Sequence, residues 1–136
     1  MKISKAGIVL FALLCATLSG IAINNTWDDG KPYSNLKVLP KNISTKFLSH
    51  IMIDEFDDGL GVSCNFCHAS DDHSQKLNYA SDAKPEKTIA RSMMQMTLLI
   101  NKKYFQVNNP LIGDSVMVVT CATCHKGQPR PDAAAF

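Results

Sequence analysis

The chain has 136 residues, of which 46% are hydrophobic and 19% charged, and its formal net charge is +2. This length favours a single domain. A domain this small has difficulty burying enough apolar surface by itself. The charges are nearly balanced and form no basic patch with interleaved aromatic residues, so we predict no nucleic-acid partner.

The N-terminal segment, residues 1–23, differs in composition from the rest of the chain. Lys2 and Lys5 precede an uncharged, largely apolar stretch at residues 6–26. A basic start, a short apolar centre and small residues after it are typical of a secretory signal, whereas an uncleaved segment would act as a membrane anchor. Because positively charged residues beside an apolar segment stay on the cytoplasmic side of the membrane, we expect the rest of the protein in the periplasm. It would be either soluble or anchored to the outer face of the inner membrane.

The segment that follows, residues 24–43, is polar and interrupted by glycine and proline, so we expect an extended arm or linker. A helix is predicted from Thr45 to about Asp57, with Ser44 as its N-cap. Its apolar residues have the spacing of one helical stripe, which consists of Phe47, Leu48, Ile51, Met52 and Phe56.

Directly after this helix comes a C-x-x-C-H motif at residues 64–68, and the same motif recurs at residues 121–125. The spacing is typical of c-type haem attachment, in which two thiols bond to the porphyrin and the adjacent histidine binds the iron. We therefore predict two covalent haem c groups. The predicted attachment residues are Cys64, Cys67, Cys121 and Cys124, and the predicted iron ligands in the motifs are His68 and His125.

Two other interpretations of the cysteine pairs are weaker. Zinc sites usually place two C-x-x-C pairs about 15–20 residues apart, whereas the pairs at residues 64–67 and 121–124 lie much farther apart. A thioredoxin-type pair requires a βαβ setting, which the sequence does not indicate. The histidine after each pair favours haem.

The middle of the chain begins with a polar stretch, residues 69–85, that we predict to be a loop. A second helix is predicted from Pro85, where the missing N–H costs nothing, to about Phe105. It has two adjacent stripes, one of Ile89, Met93, Met96, Ile100 and Tyr104 and the other of Ala90, Met94, Thr97 and Asn101.

The run at residues 116–119 is apolar but short, and we expect an extended lead-in to the second motif rather than a strand. The predicted fold class is therefore mainly α. It consists of two helix–turn–CxxCH units packed around two haems, in one domain at residues 44–136.

Each iron needs a sixth ligand from elsewhere, and in cytochromes this is usually methionine or histidine. For the first haem, Met52 lies on the apolar stripe, whereas His50 lies about 200° away on a helical wheel, so we favour Met52. For the second haem, Met93, Met94 and Met96 are candidates. Met93 lies in the middle of its stripe, but spacing alone does not exclude Met96.

Four segments extend the pattern beyond the bare motifs: residues 35–40, 60–68, 89–101 and 119–128. With these segments the chain resembles the photosynthetic reaction centre cytochrome c subunit family, in a shortened form with two haems. The family takes its sixth ligand from a methionine on the helix before each attachment site. Paired haems in the family are related by a local two-fold axis, so the resemblance implies that the two helix–turn–CxxCH units here are related by a pseudo-two-fold axis.

Carried over to this sequence, the resemblance implies Met52 as the ligand for haem 1. For haem 2 it implies Met93, the first methionine of an M-x-x-M-T pattern. The chain also departs from the family, whose subunit carries four haems. Residues 102–120 contain no histidine, so the family's route to a bis-histidine haem is absent. No residue indicates a photosynthetic partner.

With histidine and methionine on both irons, neither iron would have a vacant site. We therefore expect an electron carrier, not an enzyme, that works between periplasmic or membrane redox proteins. One alternative is a di-haem enzyme of peroxidase type, for which His50, Glu55 and His73 are the candidate acid–base groups. The other is a haem-bearing subunit of a larger membrane complex.

Overall fold

The computed structural model describes residues 33–71 and 74–131. The predicted signal or anchor, the start of the arm and His73 lie outside the described residues. Within the described ranges, no helix is both long enough and apolar enough to cross a membrane.

The architecture is helical with very little strand, as predicted. In chain order the elements are α1 (Thr45–His50), a π-helical segment (Ile51–Asp58), α2 (Cys64–Cys67), β1 (Ala69–Ser70), β2 (Leu77–Asn78), α3 (Pro85–Tyr104) and α4 (Cys121–His125). The two attachment motifs thus form the two shortest helices, each immediately before or at its histidine.

The predicted loop at residues 69–85 contains a small hairpin. β1 and β2 are antiparallel, with Ala69 opposite Asn78 and Ser70 opposite Leu77. Strands of two residues are too short to produce an alternating pattern in the sequence, so the prediction of a structureless loop was wrong here. The run at residues 116–119 is not a strand, as expected.

The first predicted helix is one continuous helical stretch whose pitch changes at Ile51. The Ser44 hydroxyl accepts a hydrogen bond from the backbone N–H of Phe47 at 3.2 Å, so the predicted N-cap is confirmed. From Ile51 to Asp58 the backbone is a π-helix, in which each N–H bonds five residues back. The 3.6-residue period assumed for the whole stretch therefore holds only for its first half.

A small core joins four separate parts of the described chain. Its buried side chains are Leu39 from the arm, Ile51 from the π-helical segment, Met94 from α3 and Ile112 from the loop after α3. Ile51 and Ile112 are 0% and 1% exposed. The arm upstream of α1 is thus packed against the helices through Leu39.

The second helix begins and ends close to its predicted bounds, with Pro85 in its first turn. The polypeptide covers only one of its two predicted stripes. Met94, Thr97 and Asn101 are buried, whereas Met93 and Met96 are 42% and 47% exposed. The stripe with the larger apolar residues is therefore left uncovered by the chain itself.

Asn101 fixes the lead-in of the second motif to α3. Its side-chain amide donates to the carbonyl oxygens of Thr97 at 2.9 Å and Val119 at 2.7 Å. Its oxygen accepts from the backbone N–H groups of Val118 at 2.8 Å and Val119 at 3.1 Å. These four bonds use the whole hydrogen-bonding capacity of the amide, which explains how it is fully buried.

The first half of the molecule (residues 44–68) and the second half (residues 85–125) pack crosswise. Helix α2 contacts α3, and α4 contacts the π-helical segment. The backbone N–H of Gly127 donates to the carbonyl of Gly59 at 3.0 Å, and a Cβ at Gly61, where φ is +64°, would collide with the carbonyl oxygen of Gly127. Each attachment motif therefore lies against the methionine-bearing helix of the other half.

Candidate haem-binding site

An apolar cavity of about 500 Å³ lies between the arm, α1, the π-helical segment, α2 and α3. The two cysteines of the first motif that were predicted to attach haem and its predicted iron ligand all lie on the wall of this cavity, which we call the first cavity: Cys64, Cys67 and His68. Met52 and Met94 line the same cavity. The fold therefore brings the first motif and the predicted methionine, which are separate in sequence, to one space.

His68 has the properties of an available metal ligand. It lies on the cavity wall, and its ring packs edge-on against Tyr79 with 5.0 Å between the ring centres. Burial, together with the positive charge of Lys87, lowers the pKa of His68. This shift favours the neutral imidazole, which is the form that binds metals.

The cysteines of both motifs are free thiols. Burial, with the negative charge of Glu86, raises the pKa of Cys67. Burial and the neighbouring Glu55 carboxylate raise the pKa of Cys121 to about 12. A redox-active cysteine pair requires a lowered pKa, so these environments argue against the thioredoxin-type interpretation.

The zinc interpretation has no support either. Among residues 33–71 and 74–131, no three histidine, cysteine or acidic side chains come together in a way that could hold a metal ion. The two cysteine pairs thus do not form a shared site.

Met52 and His50, the two candidates upstream of the first motif, have different surroundings. Met52 lines the cavity together with Leu48 and Phe56. The His50 side chain is 48% exposed and lies 2.7 Å from the Asp54 carboxylate, and it is absent from the cavity wall. The side chains that line the cavity come from both the α-helical and the π-helical parts, and π-helical turns often occur at functional sites.

The second motif forms α4, which begins with a reciprocal capping arrangement. The Thr123 hydroxyl accepts from the backbone N–H of Thr120 at 3.0 Å. At the other end, His125 Nδ1 lies 2.9 Å from the carbonyl oxygen of Gln128. With Nδ1 as the donor in this bond, the lone pair of Nε2 is left for a metal, which is the usual arrangement of a metal-binding histidine.

The three methionines of α3 occupy different environments. Met94 is buried and lines the first cavity, so it lies at the first site and not on the uncovered stripe. Met93 and Met96 are both exposed on the uncovered stripe. Neither lines the first cavity.

A charged cluster beside the first cavity was not predicted from the sequence. Asp82 lies 2.7 Å from Lys37 Nζ, 2.8 Å from Arg91 Nη1 and 3.5 Å from Lys87 Nζ. The hydrogen bond from Lys37, with those from Arg91 and Asn35, holds the pKa of Asp82 well below its usual range. The only local signal was the spacing of Lys87 and Arg91, which places two cations on one face of α3.

The first site can be tested for its fit to haem. It combines a largely apolar cavity, two free thiols, a histidine and a methionine on the same wall. These are the groups that hold covalently bound haem and its iron. A helical fold with this site defines the class of c-type cytochromes.

Comparison with known proteins agrees with that class. Residues 24–136 match the family model described as photosynthetic reaction centre cytochrome c subunit. The chain therefore belongs to this family of cytochromes, and family membership implies covalently bound haem c.

Two curated relatives are similar to the chain. The photosynthetic reaction center cytochrome c subunit of Rubrivivax gelatinosus is 30% identical over 97 residues, which cover 65% of this chain and 23% of the relative. Cytochrome c-554 of Chloroflexus aurantiacus is 31% identical over 112 residues, which cover 82% of this chain and 25% of the relative. The chain thus spans about a quarter of the length of these relatives. No solved structure matches it significantly.

Proposed function

We propose that this protein is a di-haem electron carrier in which both irons are six-coordinate, with histidine and methionine as axial ligands. The observation that carries the proposal is the first cavity, whose wall contains Cys64, Cys67, His68 and Met52. When bound, a haem of this type supplies reversible one-electron transfer between ferric and ferrous iron. The protein's own contribution is to attach, orient and shield that group.

At the first site, Cys64 and Cys67 would form the thioethers, and His68 and Met52 would bind the iron from its two sides. The surrounding side chains are mainly apolar, so they would shield a haem bound there from water. Low polarity and burial are among the means by which a protein sets a haem potential, and a methionine ligand raises that potential relative to a second histidine.

At the second site, Cys121 and Cys124 would attach the haem, and His125 and Met93 would bind its iron. The uncovered stripe of α3 supports this assignment, because an exposed row of large apolar side chains needs a cover. The bond between His125 and Gln128 supports it too, since it leaves Nε2 available. We assign Met93 rather than Met96 because the family ligand is the first methionine of this pattern.

The crosswise packing of the two halves supports a pair of related units. Each attachment helix contacts the methionine-bearing helix of the other half, and Glu55 of the π-helical segment accepts a bond from the N–H of Cys121 at 3.1 Å. Two haems held this way would lie near each other and would form a short relay between a donor and an acceptor.

A carrier fits the described residues better than a peroxidase-type enzyme. Two of the predicted acid–base candidates have partners elsewhere. His50 lies beside the Asp54 carboxylate, and the Glu55 carboxylate accepts a hydrogen bond from the backbone N–H of Cys121. Neither side chain lines the first cavity. The third candidate, His73, lies outside the described residues.

The partners of this carrier would be redox proteins of the periplasm or of a membrane complex. The Rubrivivax relative is named as a subunit of a reaction centre, which supports the alternative that the chain is the haem-bearing subunit of a membrane complex. Residues 1–23 would direct the protein to the periplasm or anchor it there. Co-purification of the full chain with other subunits would favour the complex, and a free periplasmic form would favour the soluble carrier.

The optical spectrum of the purified protein tests the proposal. We expect two haems per chain by pyridine haemochrome analysis and a near-infrared band of the ferric protein typical of methionine–iron bonds. Rapid turnover of peroxide would contradict the carrier function. A single haem, or no near-infrared band, would contradict the coordination.

A further inference from the structure

One carboxylate of the first half reaches the attachment helix of the second half. Glu55 lies in the π-helical segment, and its Oε2 atom accepts a hydrogen bond from the backbone N–H of Cys121 at 3.1 Å. Cys121 is the first residue of α4, and the first N–H groups of a helix have no acceptor within that helix. Glu55 therefore supplies, from the other half, an acceptor that α4 lacks.

This backbone hydrogen bond does not depend on the Cys121 thiol. Burial and the neighbouring Glu55 carboxylate raise the pKa of that thiol, so the free cysteine keeps its proton. The thioether of an attached haem has no proton to donate, whereas the backbone N–H is unchanged by attachment. The bond from the N–H of Cys121 to Glu55 is thus available to position α4 once haem 2 is attached.

Two further contacts join α4 to the end of the π-helical segment. At Gly59, which follows that segment, an added Cβ would lie 3.6 Å from the Cβ of Cys121, so the chain passes close to the first turn of α4. Beyond the other end of α4, the N–H of Gly127 donates to the carbonyl of Gly59 at 3.0 Å. The end of the segment therefore contacts α4 at both of its ends.

The segment that holds α4 also carries the proposed methionine ligand of iron 1. Met52 and Glu55 lie three residues apart on the π-helical segment. Met52 lines the first cavity and Glu55 does not. The first residue of the segment, Ile51, is fully buried in the core. One short element, fixed to the core at its start, therefore presents one side chain to each haem site.

We propose that Glu55 is a positioning residue for haem 2 and that it makes the coordination of haem 2 depend on the binding of iron 1 by Met52. The inference rests on the proposed function, since it requires both haems. A bond from Met52 to iron 1 would restrain the π-helical segment. Glu55 would transmit this restraint through Cys121 to α4, which carries His125, and haem 2 would stay in place for its bond to Met93.

The experiment measures how readily added imidazole displaces the methionine ligand of ferric haem 2 in the intact di-haem protein. Electron paramagnetic resonance distinguishes the two ferric haems, and the signal that changes in Met93→Ala belongs to haem 2. Glu55→Asp keeps the charge but shortens the side chain by one methylene group, so it loses the bond to Cys121. We expect it to raise the imidazole affinity of haem 2 about tenfold, the size expected when a hydrogen bond to a charged group is lost.

Two matched variants separate the hydrogen bond from the charge. Glu55→Gln removes the charge but keeps an acceptor at full length, and it should leave the imidazole affinity of haem 2 close to the wild-type value. An effect of charge alone would give the reverse order of the two Glu55 variants. Asp54→Ala removes the preceding carboxylate, which lies beside His50, and should leave haem 2 unchanged.

A double-mutant cycle tests the link to haem 1. We expect Met52→Ala to raise the imidazole affinity of haem 2 in the otherwise unchanged protein, because the π-helical segment is no longer restrained by iron 1. In the Glu55→Asp background the same substitution should have no further effect on haem 2, since the connection is already broken. Independent sites would give additive effects instead.

Each result has a defined meaning. A higher affinity in Glu55→Asp than in Glu55→Gln, with the effect of Met52→Ala lost in Glu55→Asp, supports the proposal. Equal affinities in the two Glu55 variants, the reverse order, an equal effect of Asp54→Ala, no effect of Met52→Ala on haem 2, or additive effects would overturn it. A wild-type protein without haem at residues 121–125, or without a methionine–iron bond there, would overturn the proposed function instead, so the two failures are distinguishable.

Discussion

The two attachment motifs have the same spacing but different surroundings. Residues 64–68 border a cavity of about 500 Å³ that five parts of the chain enclose. Residues 121–125 follow a lead-in that Asn101 ties to α3, and most large apolar side chains on the Met93 stripe of that helix are exposed. The chain therefore encloses the first site more completely than the second, so the two proposed haems should contribute differently to stability.

The largest effect is expected when the two cysteines of either motif are replaced. Loss of haem from the first site would leave its apolar wall without packing contacts, and lost packing is a large effect against the small net stability of a domain. We expect Cys64→Ala with Cys67→Ala to yield little folded protein, whereas Cys121→Ala with Cys124→Ala keeps one haem and a native-like circular dichroism spectrum.

Equal losses of folded protein from the two double variants would show that the sites do not differ in this way. Two haems in either variant would contradict thioether attachment by these residues. Haem content and circular dichroism measured on the same samples separate the two outcomes.

The axial methionines provide the next test. We expect Met52→Ala and Met93→Ala each to remove about half of the near-infrared band and to lower the potential of one haem, since a thioether ligand raises the potential. Met96→Ala and His50→Ala are the matched controls and should retain the band. Loss of the band in Met96→Ala but not in Met93→Ala would reverse the assignment for haem 2.

Asn101→Ala should disturb the second half more than the first. The substitution leaves the backbone groups of Val118 and Val119 without their buried partner. At ~1–3 kcal/mol for each buried group left unpaired, we expect a loss of about 3 kcal/mol in the free energy of unfolding, measured with denaturant. Asn108→Ala, at an exposed position, should change it by less than about 0.5 kcal/mol.

The visible spectrum of Asn101→Ala provides a second comparison of the two sites. Because Asn101 holds the lead-in of the second motif, the spectrum of haem 2 should change while that of haem 1 stays close to the wild type. A selective change in haem 1 would mean that the amide supports the first cavity instead.

Local signals in the sequence were sufficient for much of this molecule. The N-cap at Ser44 and the start of α3 at Pro85 follow from the chemistry of one or a few residues. The C-x-x-C-H motifs carry their chemistry in five residues, and so the class of cofactor was accessible. Met52 was placed on the stripe that lines the cavity even though the helix has a different pitch there.

Features that depend on distant contacts were not accessible. The sequence contains two plausible apolar stripes on α3, and only packing decides that the one with Met94 is buried and the one with Met93 is not. The Asp82 cluster joins the arm to α3 across a large sequence separation. The π-helical pitch has no signature in residue spacing.

The smallest effect we expect concerns the start of the first half. Ser44→Ala removes the side-chain acceptor of the Phe47 N–H, and loss of an N-cap typically costs about 1 kcal/mol. Helix α1 helps to line the first cavity. The free energy of unfolding should therefore fall by this amount both in the otherwise unchanged protein and in the variant with Cys121→Ala and Cys124→Ala. Ser44→Asp, which can still cap the helix, should restore the stability in both forms, and its failure to do so would show that Ser44 acts through something other than its cap.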